Sequence, residues 1–386
     1  MTLVINSIVI TLVVGYILFE LLAVLKKAPS KKIKIYLILV VVVHFFMAFV
    51  FYFIIDKQNV SIDAVRFYKV ALEAENWSRL FGVGNTFMSF IIYPFVKLKL
   101  TLSTLFLFFS AISFKGVLIY FELVGIKELQ NKNKWLLLLF LTPSLHFWTG
   151  FVGKEALLIV LMVLILKKIK FRNFDWQFLL LFVPVFFIRP HVFFVMLLSL
   201  GILFLISEHL NNIQKRILIL VTLVLFLVLI PVFLHYFLGI ENLNIASLKE
   251  YIESFLNYTE NNGNTTISLT NTNIIERIFY LVIMPLPFLY AIQNKLQLIV
   301  SIENVYYLGV FSIAIVYYIR KGLRFNQLSI ELKYVLITSC LLIVLFGSYL
   351  YNLGLGNRMR IMFFPYIFYF LIQTIPKRFN NETKTH

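Results

Sequence analysis

Residues 143–155 read PSLHFWTGFVGKE, a stretch that lies between two strongly apolar runs of the chain. It contains a histidine, a tryptophan, three residues that interrupt helices and an adjacent Lys154–Glu155 pair. Ionisable residues at membrane depth are costly, and they commonly mark a functional site in which each has a partner. A simpler interpretation is that Lys154 and Glu155 neutralise each other where a helix starts at the membrane interface. The stretch alone is compatible with both interpretations.

The composition around this stretch is that of a helical membrane protein. Of the 386 residues, 61% are hydrophobic, which excludes an ordinary soluble domain. Apolar runs of about 17 to 25 residues recur, each long enough to cross a hydrocarbon core of roughly 30 Å as a helix. A β-barrel would instead show short segments of alternating polarity. The first run, 3–25, lacks the features of a cleavable signal and is expected to be a retained helix.

Eleven apolar runs alternate with loops of contrasting charge. The runs are 3–25, 35–55, 102–124, 135–148, 156–166, 176–188, 192–206, 217–237, 305–319, 332–351 and 361–375. Basic loops such as 26–34 and 167–173 alternate with loops that are acidic or rich in Asn or Gly. Because basic loops favour the cytoplasmic side, we expect an all-α polytopic protein with about 11 transmembrane helices. Its N-terminus would be outside, its C-terminus cytoplasmic, and residues 1–386 would form one transmembrane domain.

The first long outer loop, 56–84, contains the sequence SIDAVRFYKVALEAENW. Three of its apolar residues recur at helical spacing: Val65, Tyr68 and Leu72. This spacing predicts an amphipathic helix that lies on the membrane. Asp63 and Arg66 are three residues apart and would share one face of that helix.

Two short apolar segments follow the two long outer loops, 56–84 and 239–276. The segments are 85–96 and 278–292, and both contain proline. Counting either one alone as a crossing would move every later basic loop to the outside. We therefore expect re-entrant or interfacial helices on the outer side, since broken helices are tolerated where they are buried in protein or line a cavity.

Six basic residues on the predicted outer side are not accounted for by the preference of basic loops for the cytoplasm. They are Arg66, Lys154, Arg189, Arg277, Arg358 and Arg360. A guanidinium group matches two phosphate oxygens at once and stays charged in a poorly hydrated site. Each arginine alone could simply reach the lipid headgroups. Taken together, they predict a phosphate or diphosphate site that lines one outer-facing cavity with Asp63, His146 and His191.

Other kinds of site are not indicated. The GFVGK sequence at 150–154 lacks the spacing and the Ser or Thr of a phosphate-binding loop. No spacing of His, Asp or Glu predicts a metal site, and we expect no cofactor. His44 and His235 lie in apolar runs and are interpreted as ordinary helix residues, and the lone Cys340 excludes a disulfide within the chain. About twenty of the basic residues fall on the inner side, so the net charge of +17 predicts no nucleic-acid partner.

The sequence PSLHFWTGFVGKEALL resembles a signature of the bacterial O-antigen and exopolysaccharide polymerases, PS-x-x-FW-small-small-x-x-GK-acidic. Later RPH and NRMR sequences, at 189–191 and 357–360, occur in the order expected for that group. Glu155 stands where relatives often carry Asp. The resemblance extends over the chain as topology and is sharp at 143–155. The IDAVRFYKVA sequence in the loop also resembles the first-loop acidic motif of polyprenyl-dependent membrane glycosyltransferases, which implies a GT-C-like fold.

The resemblance implies a polysaccharide polymerase in the bacterial cytoplasmic membrane. It would join oligosaccharide repeat units carried on undecaprenyl diphosphate at the outer face, in the company of a flippase and a chain-length regulator. The outer basic residues would stabilise the diphosphate leaving group, and a base would take the proton of the acceptor hydroxyl. The candidates for this base are Asp63, His146, Glu155 and His191. Glu155 is preferred as a structural partner of Lys154, which leaves Asp63 or His191 as the base. Trp148 is a further site residue.

Three other functions are compatible with the sequence. A transporter or flippase of polyprenyl-linked or anionic substrates also uses broken helices and buried arginines, although no internal repeat is present. A glycosyltransferase that uses a polyprenyl phosphate-sugar donor is the second. The third is a scaffold of a synthesis complex that has no chemistry of its own.

Overall fold

The computed structural model of the chain describes residues 2–58, 63–206, 244–260 and 265–376, with single positions between 213 and 234. In chain order its helices are α1 (Thr2–Lys27), α2 (Lys31–Gln58), α3 (Asp63–Glu73), α4 (Asn85–Lys97), α5 (Leu102–Val124), α6 (Lys134–Leu137), α7 (Pro143–Thr149), α8 (Lys154–Lys170), α9 (Trp176–Ile188), α10 (Pro190–Leu205), α11 (Ile245–Glu260), α12 (Ile274–Ile283), α13 (Lys295–Lys321), α14 (Ile330–Ser348), α15 (Leu353–Met359) and α16 (Phe364–Thr374). Short 3-10 turns cover Trp77–Leu80, Ile126–Asn131, Leu138–Leu141, Phe325–Gln327 and Arg360–Met362.

All regular elements in these described ranges are helical, and the chain is a helical membrane protein. Within the part of the chain that the structure describes, five helices are long and apolar enough to cross a membrane: α1, α2, α5, α13 and α14. Two shorter apolar helices, α9 and α10, follow each other through the Arg189–Pro190 turn. The predicted crossing 217–237 lies mostly outside the described residues, as do parts of the loop 239–276.

The helix α5 lies at the centre of the fold, whereas α1 exposes most of its surface. Apolar side chains such as Leu3 and Phe19 on α1 are exposed, as expected of a helix that faces lipid. The helix α5 packs closely against α8 because Gly116 lies beside Val160. A Cβ atom at Gly116 would lie 3.1 Å from the Cα atom of Val160. Glycine at this position therefore sets how closely the two helices approach.

The predicted crossing 135–148 is not one continuous helix. It consists of α6, a 3-10 turn and α7, and Thr142 between the last two is extended. Pro143 starts α7, a position at which the missing N–H of proline is tolerated. Residues of all three pieces, including Leu136, Phe140 and Leu145, are buried. The broken backbone is thus enclosed by protein, which is the condition under which it is tolerated at membrane depth.

The two proline-containing segments of predicted outer location form short helices. The helices α4 and α12 have 13 and 10 residues, which corresponds to roughly 20 and 15 Å of length. The hydrocarbon core measures about 30 Å. That neither segment is a full crossing stays a prediction, since α9, in the predicted crossing 176–188, also has 13 residues.

The helix predicted in the first outer loop is present as α3, but the predicted buried face is wrong. The residues that are buried are Ala64, Phe67 and Ala71, whereas Val65 and Tyr68 are half-buried and Leu72 is exposed. The two alanines allow α3 to lie close against α4, where Phe67 joins a cluster that includes Met88 and Ile92. The buried face is thus determined by how closely two helices pack and not by the largest side chains.

Loops of predicted cytoplasmic location meet at one end of the fold. The Lys27 ammonium lies 2.7 Å from the Glu122 carboxylate, and Lys167 lies 3.9 Å from the same group. Asn133 donates a hydrogen bond of 2.7 Å to the carbonyl of Pro376. The loops 26–34 and 167–173 therefore meet at the end of α5, and the loop 126–134 contacts the C-terminal tail.

Candidate functional site

The turn after α7 brings Glu155 into the interior. Gly150 lies against α2, and a Cβ atom there would be 2.8 Å from the Ala48 Cβ atom, so this close approach favours glycine. The helix α8 then begins at Lys154, and Glu155 in its first turn is fully buried. A buried carboxylate is stable only if it is paired or hydrogen-bonded.

Two arginines from distant parts of the chain bind Glu155. Arg358 donates from Nε to Oε1 at 2.7 Å and from Nη2 to Oε2 at 3.0 Å, which is a bidentate pair. Arg189 also donates to Oε1 through Nη2. The expectation that Lys154 is the main partner of Glu155 is therefore corrected, because the arginines occupy both carboxylate oxygens. The Lys154 ammonium lies instead beside Gly84.

Asp63 connects this buried pair to the surface. Arg358 donates from Nη1 to Asp63 Oδ2 at 2.7 Å, and Arg66 donates from Nη2 to Asp63 Oδ1 at 2.8 Å. The exposed fraction of the side chain rises from 0% for Glu155 through 16% for Arg358 and 25% for Asp63 to 51% for Arg66. The side chains of this network thus become more exposed from Glu155 toward Arg66. We call it the Glu155 cluster, comprising Asp63, Arg66, Lys154, Glu155, Arg189, His191 and Arg358.

Positive charge exceeds negative charge in the Glu155 cluster. Four side chains carry a cationic group, namely Arg66, Lys154, Arg189 and Arg358, and two carry a carboxylate. When Lys154 is protonated the excess is two positive charges. In addition, Arg189 Nε and His191 Nε2 are buried and have no hydrogen-bond partner among the described residues. Unsatisfied buried groups are costly, and a bound anion would satisfy those that donate protons.

The pKa values at the outer edge of the cluster respond to burial and to the neighbouring arginines. Burial raises the pKa of Asp63, but Arg358 and then Arg66 oppose it, and the net pKa lies below its usual value. Lys154 precedes the predicted crossing that starts at Ala156. Burial, together with Arg189 and Arg358, lowers the pKa of Lys154 to about 7, although the two carboxylates oppose this change. Asp63 is therefore ionised at neutral pH, and the charge of Lys154 depends on pH near neutrality.

Two of the other predicted site residues lie outside the Glu155 cluster. His146 is buried, with its Nδ1 atom 3.0 Å from Nδ1 of His44 and its Nε2 atom 2.7 Å from the carbonyl of Phe140. Arg277 donates to the backbone carbonyls of Gly347, at 3.0 Å, and Thr272, at 2.7 Å. His146 therefore contacts His44 and one backbone carbonyl, and Arg277 binds backbone carbonyls, so the hydrogen bonds of both residues are made away from the Glu155 cluster. His44, interpreted as an ordinary helix residue, is the partner of His146.

Arg360 also lies apart from the cluster, in what we call the Arg360 site. It is 2% exposed, and it donates to four neutral oxygens: the carbonyls of Leu281 and Met284 and the side-chain oxygens of Asn304 and Asn357. Residues two apart in a helix are about 200° apart around its axis. Arg358 and Arg360 consequently point in different directions, and the expectation that both line one cavity is wrong.

Glu303 is a buried carboxylate that the sequence analysis missed. It is 6% exposed and accepts hydrogen bonds from the Ser144 backbone N–H, at 2.8 Å, and from the Ser144 hydroxyl. The described residues include no cation within 4.0 Å of its carboxylate. The signal available in the sequence was a single Glu at the start of an apolar run, in the order SIENVYY.

A largely apolar cavity of about 340 Å³ lies next to the Glu155 cluster. We call it the aromatic pocket; its lining includes Phe51, Ser144, Phe147, Trp148, Tyr290 and Asn357. The guanidinium carbon of Arg358 is 5.9 Å from the centroid of the Trp148 ring and 5.7 Å from that of Phe151. Trp148 therefore belongs to the lining of the aromatic pocket and also lies beside Arg358.

Comparisons with protein-family models, with curated proteins and with solved structures found no match to this chain. The described residues contain no group of three or more His, Cys, Asp or Glu side chains that could hold a metal ion. The geometry of the Glu155 cluster and the motif at 143–155 are therefore the features that bear on function.

Proposed function

We propose that this protein is a polysaccharide polymerase that joins undecaprenyl diphosphate-linked repeat units at the outer face of the bacterial cytoplasmic membrane. The observation that carries the proposal is the Glu155 cluster. It combines an excess of cationic side chains, a buried carboxylate that fixes two of them, and an opening toward the surface. A diphosphate leaving group is the kind of anion that such an arrangement stabilises.

In the proposed reaction the cluster acts on the donor. The acceptor hydroxyl attacks the anomeric carbon of the donor sugar, and the bond between that carbon and the diphosphate breaks. Its electron pair remains on the diphosphate, where Arg358, Arg189 and Arg66 offset the developing charge. Glu155 positions two of these arginines and has both of its oxygens occupied.

The two remaining base candidates of the cluster are poorly suited to take the acceptor proton. Asp63 is paired with Arg358 and Arg66, and these cations favour its ionised form. His191 lies close enough to Arg189 and Lys154 to interact with their charges, so a proton on its ring would be opposed by both. We therefore assign the cluster to binding of the leaving group.

The proposal includes the eleven-crossing topology with the N-terminus outside. It is supported by the grouping of the loops, since Asp63, Glu155, Arg189 and Arg358 belong to four different predicted outer turns and contact one another. The test is cysteine labelling in a Cys340→Ser background. Lys69→Cys, at an exposed position of α3, should react with an impermeant reagent on intact spheroplasts, whereas Lys127→Cys should react only after permeabilisation. The reverse pattern would contradict the topology.

The activity is tested with purified protein in lipid nanodiscs and a lipid-linked repeat unit as the substrate. A polymerase lengthens the glycan in steps of one repeat unit, which gel electrophoresis resolves. In proteoliposomes, movement of the substrate without lengthening would identify a transporter. Transfer from a polyprenyl phosphate-sugar alone would identify a glycosyltransferase of that class. Absence of all three activities would leave the scaffold function and refute the proposal.

A further inference from the structure

The Ser144–Glu303 pair lies where the broken crossing meets α13. Both carboxylate oxygens of Glu303 accept hydrogen bonds from Ser144, one from its backbone N–H and one from its hydroxyl. Arg360 is close enough to interact electrostatically with Glu303, but its hydrogen bonds go to neutral oxygens. Within the described residues, Glu303 is thus a buried carboxylate that is hydrogen-bonded to a hydroxyl group and a backbone N–H and not to a cation. A hydroxyl held by a carboxylate can pass a proton to it.

Ser144 faces the aromatic pocket. Ser144 and Trp148 are four residues apart on α7, which places them on the same side of the helix, and both line the pocket. Aromatic walls with a few polar groups are typical of sites that hold a small organic ligand. A sugar ring has apolar C–H faces and hydroxyl groups at its rim, so it could stack on Trp148 and reach Ser144 with a hydroxyl.

We propose that the aromatic pocket holds the terminal sugar of the acceptor glycan and that Ser144 and Glu303 accept the proton of its attacking hydroxyl. This inference rests on the proposed polymerase function. Trp148 supplies the spatial relation, since it lines the pocket and its ring lies 5.9 Å from the guanidinium carbon of Arg358. The acceptor hydroxyl and the donor diphosphate would then meet at the edge of Trp148.

The acceptor hydroxyl donates its proton to Ser144 Oγ while the Ser144 proton moves to the Glu303 carboxylate. The acceptor oxygen forms its bond to the anomeric carbon, and the bond to the diphosphate breaks with its electron pair on the leaving group. Glu303 ends the step as a carboxylic acid and releases the proton to solvent before the next cycle.

The experiment measures two properties of each variant in nanodiscs: the rate of glycan elongation as a function of pH, and the dissociation constant for inorganic pyrophosphate. Glu303→Gln keeps the size of the side chain and can still accept the Ser144 N–H, but it cannot accept a proton in the working range. Ser144→Ala removes the hydroxyl. Glu73→Gln, on the exposed end of α3, is the matched control and should behave like the wild type.

We expect Glu303→Gln to lower the elongation rate by about 100-fold or more, which is the usual contribution of a general base. The rise of the rate with pH on the acidic side should disappear, and the pyrophosphate dissociation constant should stay within about twofold. Ser144→Ala should lower the rate in the same direction. If Glu303→Gln elongates at nearly the wild-type rate, or keeps the acidic limb of the pH profile, the inference is refuted.

Failure of the inference can be distinguished from failure of the proposed function. If the wild-type protein does not elongate the lipid-linked substrate, the polymerase function itself is wrong, and the inference falls with it. If Glu303→Gln loses pyrophosphate binding and thermal stability together, the pair is a structural anchor, which would also refute the inference.

Discussion

The Glu155 cluster and the Arg360 site contrast two uses of arginine only two residues apart in the chain. Arg358 binds two carboxylates, and its cluster contains more cations than anions and opens to the surface. Arg360 is enclosed, and the oxygens it binds are neutral carbonyls and amides. The first arrangement leaves capacity for an added anion. The second has its guanidinium donors committed to the protein, so it stabilises the fold.

Two arginines that are close in the sequence therefore have different roles. A guanidinium group surrounded by neutral oxygens holds together the elements that supply them, here α12, α13 and α15. A guanidinium group held by carboxylates beside other cations is oriented by the protein and can still attract a ligand. Stability and pyrophosphate binding should therefore respond differently to substitutions at the two sites.

The largest effect is expected from Glu155→Gln. The substitution leaves Arg189 and Arg358 buried without their carboxylate, so the free energy of unfolding should fall by about 3–5 kcal/mol. Pyrophosphate binding should be lost at the same time because the arginines are no longer positioned. Unfolding by SDS in mixed micelles and calorimetry with pyrophosphate measure the two effects. Unchanged stability would contradict the role of Glu155 as the centre of the cluster, and Glu73→Gln serves as the control.

A somewhat smaller loss of stability is expected from Arg360→Lys. A single ammonium group cannot reach all four oxygens that the guanidinium binds, so the free energy of unfolding should fall by about 2–3 kcal/mol. The pyrophosphate dissociation constant of the folded protein should not change. If pyrophosphate binding weakens more than the stability, the Arg360 site is part of the anion site and the contrast drawn above is wrong.

Arg358→Lys should instead weaken pyrophosphate binding more than it lowers stability. Lysine retains the charge but loses the bidentate geometry, so pyrophosphate binding should weaken by about 1.5–3 kcal/mol, or roughly one to two powers of ten. Glycan length in cells should shorten at matched protein levels, and Arg189→Lys should act in the same direction. Arg66→Lys is the control, because its side chain is half exposed and should lose little. Wild-type affinity in both Arg358→Lys and Arg189→Lys would exclude them from the anion site.

The smallest effect concerns pH. Because burial lowers the pKa of Lys154 to about 7, its positive charge is present below that pH and is lost as the pH rises. We expect the ratio of pyrophosphate affinities, wild type over Lys154→Met, to fall by up to about tenfold between about pH 6.5 and about pH 8. Both proteins share the ionisation of pyrophosphate itself, so the ratio isolates the lysine. A ratio that is constant across this range would show that Lys154 does not contact the anion.

Part of this site could be predicted from charge and topology. The alternation of basic loops assigned Asp63, Arg66, Arg189 and Arg358 to one side of the membrane, and the structure brings their side chains together. That assignment uses only the cost of moving charge across a bilayer. It predicts that these residues lie on the same side of the membrane. It does not predict the direction in which each side chain points.

The details that were missed depend on packing in three dimensions. The contact between Glu155 and Arg358 joins residues that are 203 positions apart, which no local pattern reveals. The opposite directions of Arg358 and Arg360 could have been foreseen from their spacing of two residues. The buried face of α3 was misjudged because alanine has little apolar surface, yet it allows the closest approach of two helices. The hydropathy pattern likewise predicted one continuous crossing over 135–148, because hydropathy carries no information about the break before Pro143.

The hydrogen bond from the Ser144 backbone to Glu303 has a consequence for biosynthesis. Its two residues are 159 positions apart, so at about 5–20 residues per second the ribosome needs roughly 8 to 30 s between them. During that time the break in the crossing lacks the acceptor that later covers its N–H group, and water or the insertion machinery has to cover it. Chains that stop before residue 303 should therefore be poorly integrated and preferred targets of membrane proteases. The stretch 143–155 would thus be stably integrated only after the second half of the chain has been made.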